Sequence, residues 1–302
     1  MTHLASPSAR RKLGSSDIEV SALAWGHWRL APGDTAANAR LAHAALDTGI
    51  DFFDTADIYG FDGNSGFGNV EQAFGDLLAA EPGLRRRIVI ATKGGIDPPK
   101  PYDSSPAYLD AAIDASLTRL GIDTIDLWQV HRPDILTHPH DIARTVERAH
   151  AAGKIRAFGV SNFTHAQIAA LAACSTVPLV STQPELSALR LDPLTNGESD
   201  QAMTLDLAIL AWSPLAGGQL ASPTDPRAVA VCAALDAVAS EQGVSRTAAA
   251  LSWLMVHPSR PIPIIGSQRA DRIKESADAL RVRWTRTNWY AVLVAARQEP
   301  LQ

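Results

Sequence analysis

Eight short apolar runs, each followed by a longer stretch of helical character or a loop, set the strongest limit on how this chain can fold. They occupy residues 22–26, 51–56, 88–93, 125–131, 157–162, 179–183, 208–213 and 263–267. The spacing between them predicts helices over 36–48, 69–80, 105–120, 139–152, 165–173, 245–257 and 270–280, with a weaker one over 203–206. Start signals agree, as where Ser104 and Ser105 precede Pro106 at a first helical position. Strands that are continuously apolar and alternate with helices form a parallel sheet buried on both faces. Eight such units favour closure into a (β/α)8 TIM barrel over an open doubly wound sheet.

The chain has 302 residues, more than a usual domain, yet barrels of this kind exceed that length as one unit. A flexible tail is expected over 1–10 and a single domain over 11–302, with a hairpin at 12–20 closing the barrel bottom. Long loops without evident secondary structure are expected at 187–202 and 217–225. Both follow strand C-termini, the face on which barrels carry their chemistry, and loops of that length are usually lids or binding loops.

Composition narrows the function classes. With 46% hydrophobic and 20% charged residues the chain has material for a large core and no signature of disorder. Its net charge of -5 comes from interspersed signs, so no basic field exists to attract nucleic acid or an anionic membrane. The basic run Arg85 to Arg87 reads as a solvated turn. Cys174 and Cys232 are the only cysteines, which suggests neither a disulfide framework nor a metal site. No His, Cys or carboxylate cluster has ligand spacing, and metal-free chemistry is expected. The N-terminal residues lack the apolar centre of a signal peptide, and no stretch is long enough to span a bilayer, so the expected location is the cytoplasm.

Four polar residues stand at or just beyond the ends of consecutive apolar strands: Asp54 and Tyr59 in DFFDTADIYG, Lys93 in IVIATKGG and His131 in LWQVHRPD. Strand-end placement brings them together over the barrel mouth. From about residue 12 to about residue 296 the chain resembles the aldo-keto reductase superfamily, and in pattern it is most similar to bacterial oxidoreductases of poorly defined substrate. The resemblance implies that Asp54, Tyr59, Lys93 and His131 are the catalytic tetrad. Hydride delivery to a carbonyl carbon puts negative charge on oxygen, so a proton donor and polar groups are needed beside it. Tyr59 would give the proton, Lys93 would lower the phenol's pKa, Asp54 would keep Lys93 charged, and His131 would orient the carbonyl.

The same resemblance implies a nicotinamide site made of Ser161 and Asn162 in GVSNF, Gln183 in STQPE and Trp212 in AWSPLAGG, whose indole offers a stacking face. Ser213, Leu215 and Gly217 would cover the pyrophosphate. In PIPIIGSQRADRIKES, Ser267 and Arg272 match the adenosine-phosphate site and Glu275 the adenine contact, while Gly266 replaces a lysine common in NADPH-preferring relatives. Gln268 or Arg269 would then compensate. No G-x-G-x-x-G opens the first strand–helix unit, so a Rossmann site is not supported. Trp28, Tyr59 and His131 would frame the substrate pocket, and Trp25 would pack in the barrel wall.

The expectation is therefore a monomeric NADPH-dependent reductase of small aldehydes or ketones, with NADH a weaker alternative cofactor. The rival reading is a reductase-like barrel that retains cofactor as a sensor or regulatory subunit with little turnover.

Overall fold

A computed structural model describes residues 3–301. An antiparallel hairpin of β1 (Arg10–Lys12) and β2 (Glu19–Ser21) precedes eight parallel strands: β3 (Ala24–Gly26), β4 (Phe52–Asp54), β5 (Val89–Gly94), β6 (Ile125–Val130), β7 (Ile155–Ser161), β8 (Leu179–Gln183), β9 (Ala208–Ala211) and β10 (Ile262–Ile265). These eight close in the order β10-β3-β4-β5-β6-β7-β8-β9, the (β/α)8 barrel that the alternation of runs predicts. Outside them lie α1 (Thr35–Asp47), α2 (Asn69–Ala80), α3 (Pro106–Leu120), α4 (Pro139–Ala151), α5 (His165–Cys174), α6 (Asp192–Thr195), α7 (Glu198–Thr204), α8 (Pro226–Gln242), α9 (Arg246–Met255), α10 (Ala270–Ser276) and α11 (Arg286–Arg297).

Period-two alternation assigns each strand residue to one of two cores. Phe52, Ala91, Leu127 and Ala157 point into the barrel, where Leu13, Ile18 and Val20 from the hairpin join them as a floor. Phe53, Trp128 and Phe158, each one residue on, pack outward against the helices. Two residues beyond Phe52 and Ala91, the same alternation turns Asp54 and Lys93 inward above that floor. The hairpin reaches the floor closely: a Cβ on Gly14 would stand 2.1 Å from the Val180 carbonyl oxygen, and its φ of +56° suits glycine. Ahead of the hairpin, His3 bridges Thr285 and the Leu4 amide donates to the Trp284 carbonyl at 2.7 Å, just before α11.

Three expectations are corrected. The stretch 187–202 is not structureless but contains α6 and most of α7; the helix expected at 203–206 is the end of α7, stopped before Asp206, whose φ is +51°. The 17-residue α8 and the 12-residue α11 were not expected at all. Their caps are nevertheless in the sequence: the Asp225 side chain accepts from the Ala228 amide, and Thr285 and Asn288 form a reciprocal capping box.

Helix contact makes one glycine indispensable. A Cβ on Gly75 of α2 would stand 2.0 Å from the main-chain oxygen of Arg119 in α3. Gly75→Ala should improve helix propensity by about 1 kcal/mol, yet neither backbone can yield without parting the helices. The expected outcome is a net destabilisation of about 1–3 kcal/mol, read as a lower urea midpoint at unchanged slope; a midpoint at or above wild type would refute the close approach.

Candidate active site

Strand ends supply the site. Lys93, fully buried, spends its three ammonium protons on Asp54 Oδ2 at 2.7 Å, the Thr55 carbonyl at 2.7 Å and the Tyr59 hydroxyl at 3.1 Å. Tyr59 stands on the turn after β4, and its ring lies 5.8 Å from that of His131, edge on. Asp54, Tyr59, Lys93 and His131 therefore meet at one point of the barrel mouth.

Burial is the largest single influence on the ionisation of Lys93, Tyr59 and His131. For Lys93 it works to remove the proton, but Asp54 and the Tyr59 oxygen outweigh it and the pKa stands above its ordinary value. The Tyr59 phenol moves opposite to expectation. Desolvation raises its pKa, and the pull of Lys93 downward, partly cancelled by Asp54, does not overcome it. The expected lowering by Lys93 is present as one contribution and is outweighed by the dry surroundings. Burial, followed by the charges of Lys93 and Arg132, holds His131 well below its usual range, so the imidazole is neutral. Its buried Nδ1 has no hydrogen-bond partner among the described residues.

Beside this group lies a second polar cluster. Ser161 ends β7, and its hydroxyl donates to the Gln183 carbonyl at 2.9 Å. Asn162, at φ +60°, donates from Nδ2 to Ser161 Oγ at 2.8 Å and accepts at Oδ1 from the Trp212 indole at 2.9 Å. The Gln183 amide reaches across the barrel to Asp54 Oδ1 at 3.0 Å, a bond that sequence reasoning missed because 129 residues separate the partners. It likewise missed Arg132, whose guanidinium lies 5.9 Å from the Trp212 ring centroid; its place immediately after His131 was the available signal.

The remaining residues lie along the rim. Ser213 (φ +53°) accepts from the Gly217 amide at 2.8 Å, Leu215 packs on the outer core, and Gly217 and Gly218 are open to solvent. Gly266, Ser267 and Gln268 follow β10, with Arg272 and Glu275 on α10. Arg272 is exposed and forms no ion pair, with Glu275 or otherwise, among the described residues. Arg269 forms an exposed ion pair with Asp271 at 2.5 Å. Trp28, expected in the substrate pocket, is half exposed, with its indole nitrogen 3.3 Å from where a Gly266 Cβ would stand and the Arg29 guanidinium 4.3 Å from its ring. A side chain at 266 would press on Trp28, so the glycine fits this packing. Trp25 is fully buried and donates to the Ser267 carbonyl at 3.1 Å, as a wall residue would.

The aldo/keto reductase family model matches residues 22–292. The chain belongs to this family. It is 62% identical over 303 residues, covering 100% of both chains, to the 6-dehydroglucose reductase of Novosphingobium aromaticivorans. It is 36% identical over 297 residues to the 6-dehydroglucose reductase of Agrobacterium fabrum, covering 93% of this chain and 96% of that one. Among solved structures, the glycerol dehydrogenase of Gluconobacter oxydans aligns with a TM-score of 0.84 at 26% identity, covering 97% of this chain and 98% of that chain. This aldo/keto reductase is accordingly an oxidoreductase of small carbonyl compounds. No described helix is long and apolar enough to cross a membrane.

The residues present fit a nicotinamide dinucleotide. Ser161, Asn162 and Gln183 together offer the donors and acceptors that a carboxamide needs, Trp212 is half-buried with a face to stack, and Arg272, on the helix that follows Ser267, has no ion-pair partner among the described residues.

Proposed function

We propose that this aldo/keto reductase converts the aldehyde of a hexose such as 6-dehydroglucose to the primary alcohol, using NADPH and a proton from Tyr59. The observation that carries the chemistry is the buried chain of hydrogen bonds from Asp54 through Lys93 to the Tyr59 hydroxyl. The full-length likeness to a 6-dehydroglucose reductase supports the choice of substrate. When bound, the reduced nicotinamide supplies the hydride.

Each residue then has a stated task. Ser161, Asn162 and Gln183 hold the carboxamide, and Trp212 stacks on the ring. Arg272 and Ser267 receive the 2′-phosphate by charge-assisted hydrogen bonds. Tyr59 donates its proton as negative charge develops on the carbonyl oxygen, and the neutral His131 donates an imidazole N–H to the same atom. A phenol raised above its ordinary pKa of 10.0 is protonated throughout the neutral range. Reduction should thus be level in pH through neutrality as far as Tyr59 is concerned and fall only as pH rises past that raised pKa, whereas alcohol oxidation, which needs the phenolate, should climb in the same direction.

Steady-state reduction of 6-dehydroglucose against a panel of aliphatic and aromatic aldehydes tests the substrate class; no preference for the sugar would refute it. Parallel titrations test the cofactor. Arg272→Ala should weaken NADPH by about 1.5–3 kcal/mol, the scale of hydrogen bonds to charged groups, and leave NADH nearly unchanged. Equal losses for both, or none for either, would remove Arg272 from the phosphate site.

A further inference from the structure

We infer that Gln183 is a positioning residue for the proton donor: through Asp54 and Lys93 its side-chain amide sets how readily Tyr59 releases its proton, which couples the nicotinamide pocket to the acid. The inference rests on the role proposed above for Tyr59.

The geometry divides Asp54 between two donors. Oδ2 receives Lys93 at 2.7 Å and Oδ1 receives Gln183 Nε2 at 3.0 Å, with Asp54 and Gln183 each 2% exposed. Water cannot replace either bond without entering the barrel. Lys93 has no proton to spare, since all three are donated, so its position relative to Tyr59 is fixed. A change in the charge density of Asp54 must then be felt at the Tyr59 oxygen as a change in field. Gln183 offers one amide proton to Asp54 and retains a second proton and the Oε1 acceptor. Its main-chain oxygen accepts from both the Ser161 hydroxyl at 2.9 Å and the Asn162 amide at 3.1 Å. The same residue thus belongs to the carboxamide cluster and to the carboxylate behind the acid.

Few other charges compete. Tyr59 faces Lys93 of β5, Asp54 of β4, and His131 and Arg132 at the end of β6. His131 is neutral. Two further buried titratable groups lie near Lys93: burial, then Lys93, lowers His27 to about 3, which leaves it neutral, and burial, then Glu71, raises Asp57 well above its usual range, while neither is among the charges that move Tyr59. Asp54, Lys93 and Arg132 set the field at Tyr59, and among the described residues Gln183 is the one side-chain donor to Asp54 besides Lys93.

Removing that donor leaves Oδ1 with an uncompensated charge, which opposes the pull of Lys93 on the phenolate. Gln183→Met, of similar length and without an amide, should raise the Tyr59 titration by about one pH unit. Ser161→Ala disturbs the carboxamide cluster without touching Asp54 and should not move it. The readout is tyrosinate ultraviolet absorbance of the whole protein, cofactor-free and saturated with NADP+, assigned to Tyr59 by difference from Tyr59→Phe. Gln183→Leu serves as a second donor-free variant should the methionine substitution fail to fold, with circular dichroism as the check. Reciprocity requires that the pH dependence of NADP+ affinity shift by the same amount. Superimposable titrations of wild type and the donor-free variant would overturn the inference, as would an equal shift in Ser161→Ala. Failure of the functional reading is separately visible, as absent NADP+ binding or as a Tyr59→Phe enzyme that still reduces carbonyls.

Discussion

Tyr59→Phe should lose carbonyl reduction by a factor of about 10²–10⁴, the usual scale of general acid catalysis, with NADPH affinity close to wild type. Among the described residues the hydroxyl bonds only to Lys93, at 3.1 Å, and the ring keeps its place beside His131 without it. Lys93 retains Asp54 and the Thr55 carbonyl, so the barrel mouth should hold its shape. What disappears is the proton that neutralises the developing alkoxide. Single-turnover reduction separates the two effects: a fall in the chemical step with unchanged cofactor titration is the expected pattern. Wild-type turnover would take Tyr59 out of its assigned role.

Lys93→Met is expected to damage both chemistry and stability. It strips the positive charge from beside Tyr59, so the phenol, already raised by burial, rises further and the enzyme loses its base in the oxidation direction. It also strands Asp54, leaving Gln183 as its remaining side-chain donor. Breaking a buried pair by deleting one partner costs about 3–5 kcal/mol, a large share of the stability of most domains. The sign with pH is fixed by the raised pKa of Lys93: its contribution to wild-type stability is complete below the ordinary value of 10.5 and is lost as pH rises through the folded-state value. The gap in urea stability between wild type and Lys93→Met should therefore be widest at neutral pH and narrow in strong alkali. A gap that does not narrow, or an oxidation profile that superimposes on wild type, would contradict this account.

The barrel was legible because its strands are nearly continuous apolar runs ended by polar residues, and this pattern survives inspection without coordinates. Asp54, Lys93 and His131 stand at those polar ends, and the resemblance to the aldo-keto reductases is what joined them with Tyr59 into one site. The helix α8 was not legible, because its buried residues include Ala228, Val231, Cys232, Leu235 and Val238 in a segment where small apolar side chains also point outward. An all-round apolar helix has no period to detect. The helix α11 failed for another reason: its box uses Asn288 where a glutamate or glutamine is the usual signal. Pairwise chemistry was least legible. The direction of the Tyr59 shift depends on how dry the site is, and the bond from Gln183 to Asp54 depends on barrel closure; neither quantity is local in sequence.

A ring of strands has no first and no last member, so this sheet presents no open edge on which another chain could template itself into an aggregate. To become sticky it must first be torn along a seam. The seams are unequal: β6 joins β7 through five register pairs, whereas β8–β9, β9–β10 and β10–β3 have two each. The ring should part along this thin side, of which the β9–β10 seam is the middle, and Ser267 and Arg272 follow β10. A ligand bridging them to Trp212 on the far side of the seam would act as a clasp, and such clasping predicts that the liganded protein outlasts the free one in solution at high concentration even where their activities cannot be compared.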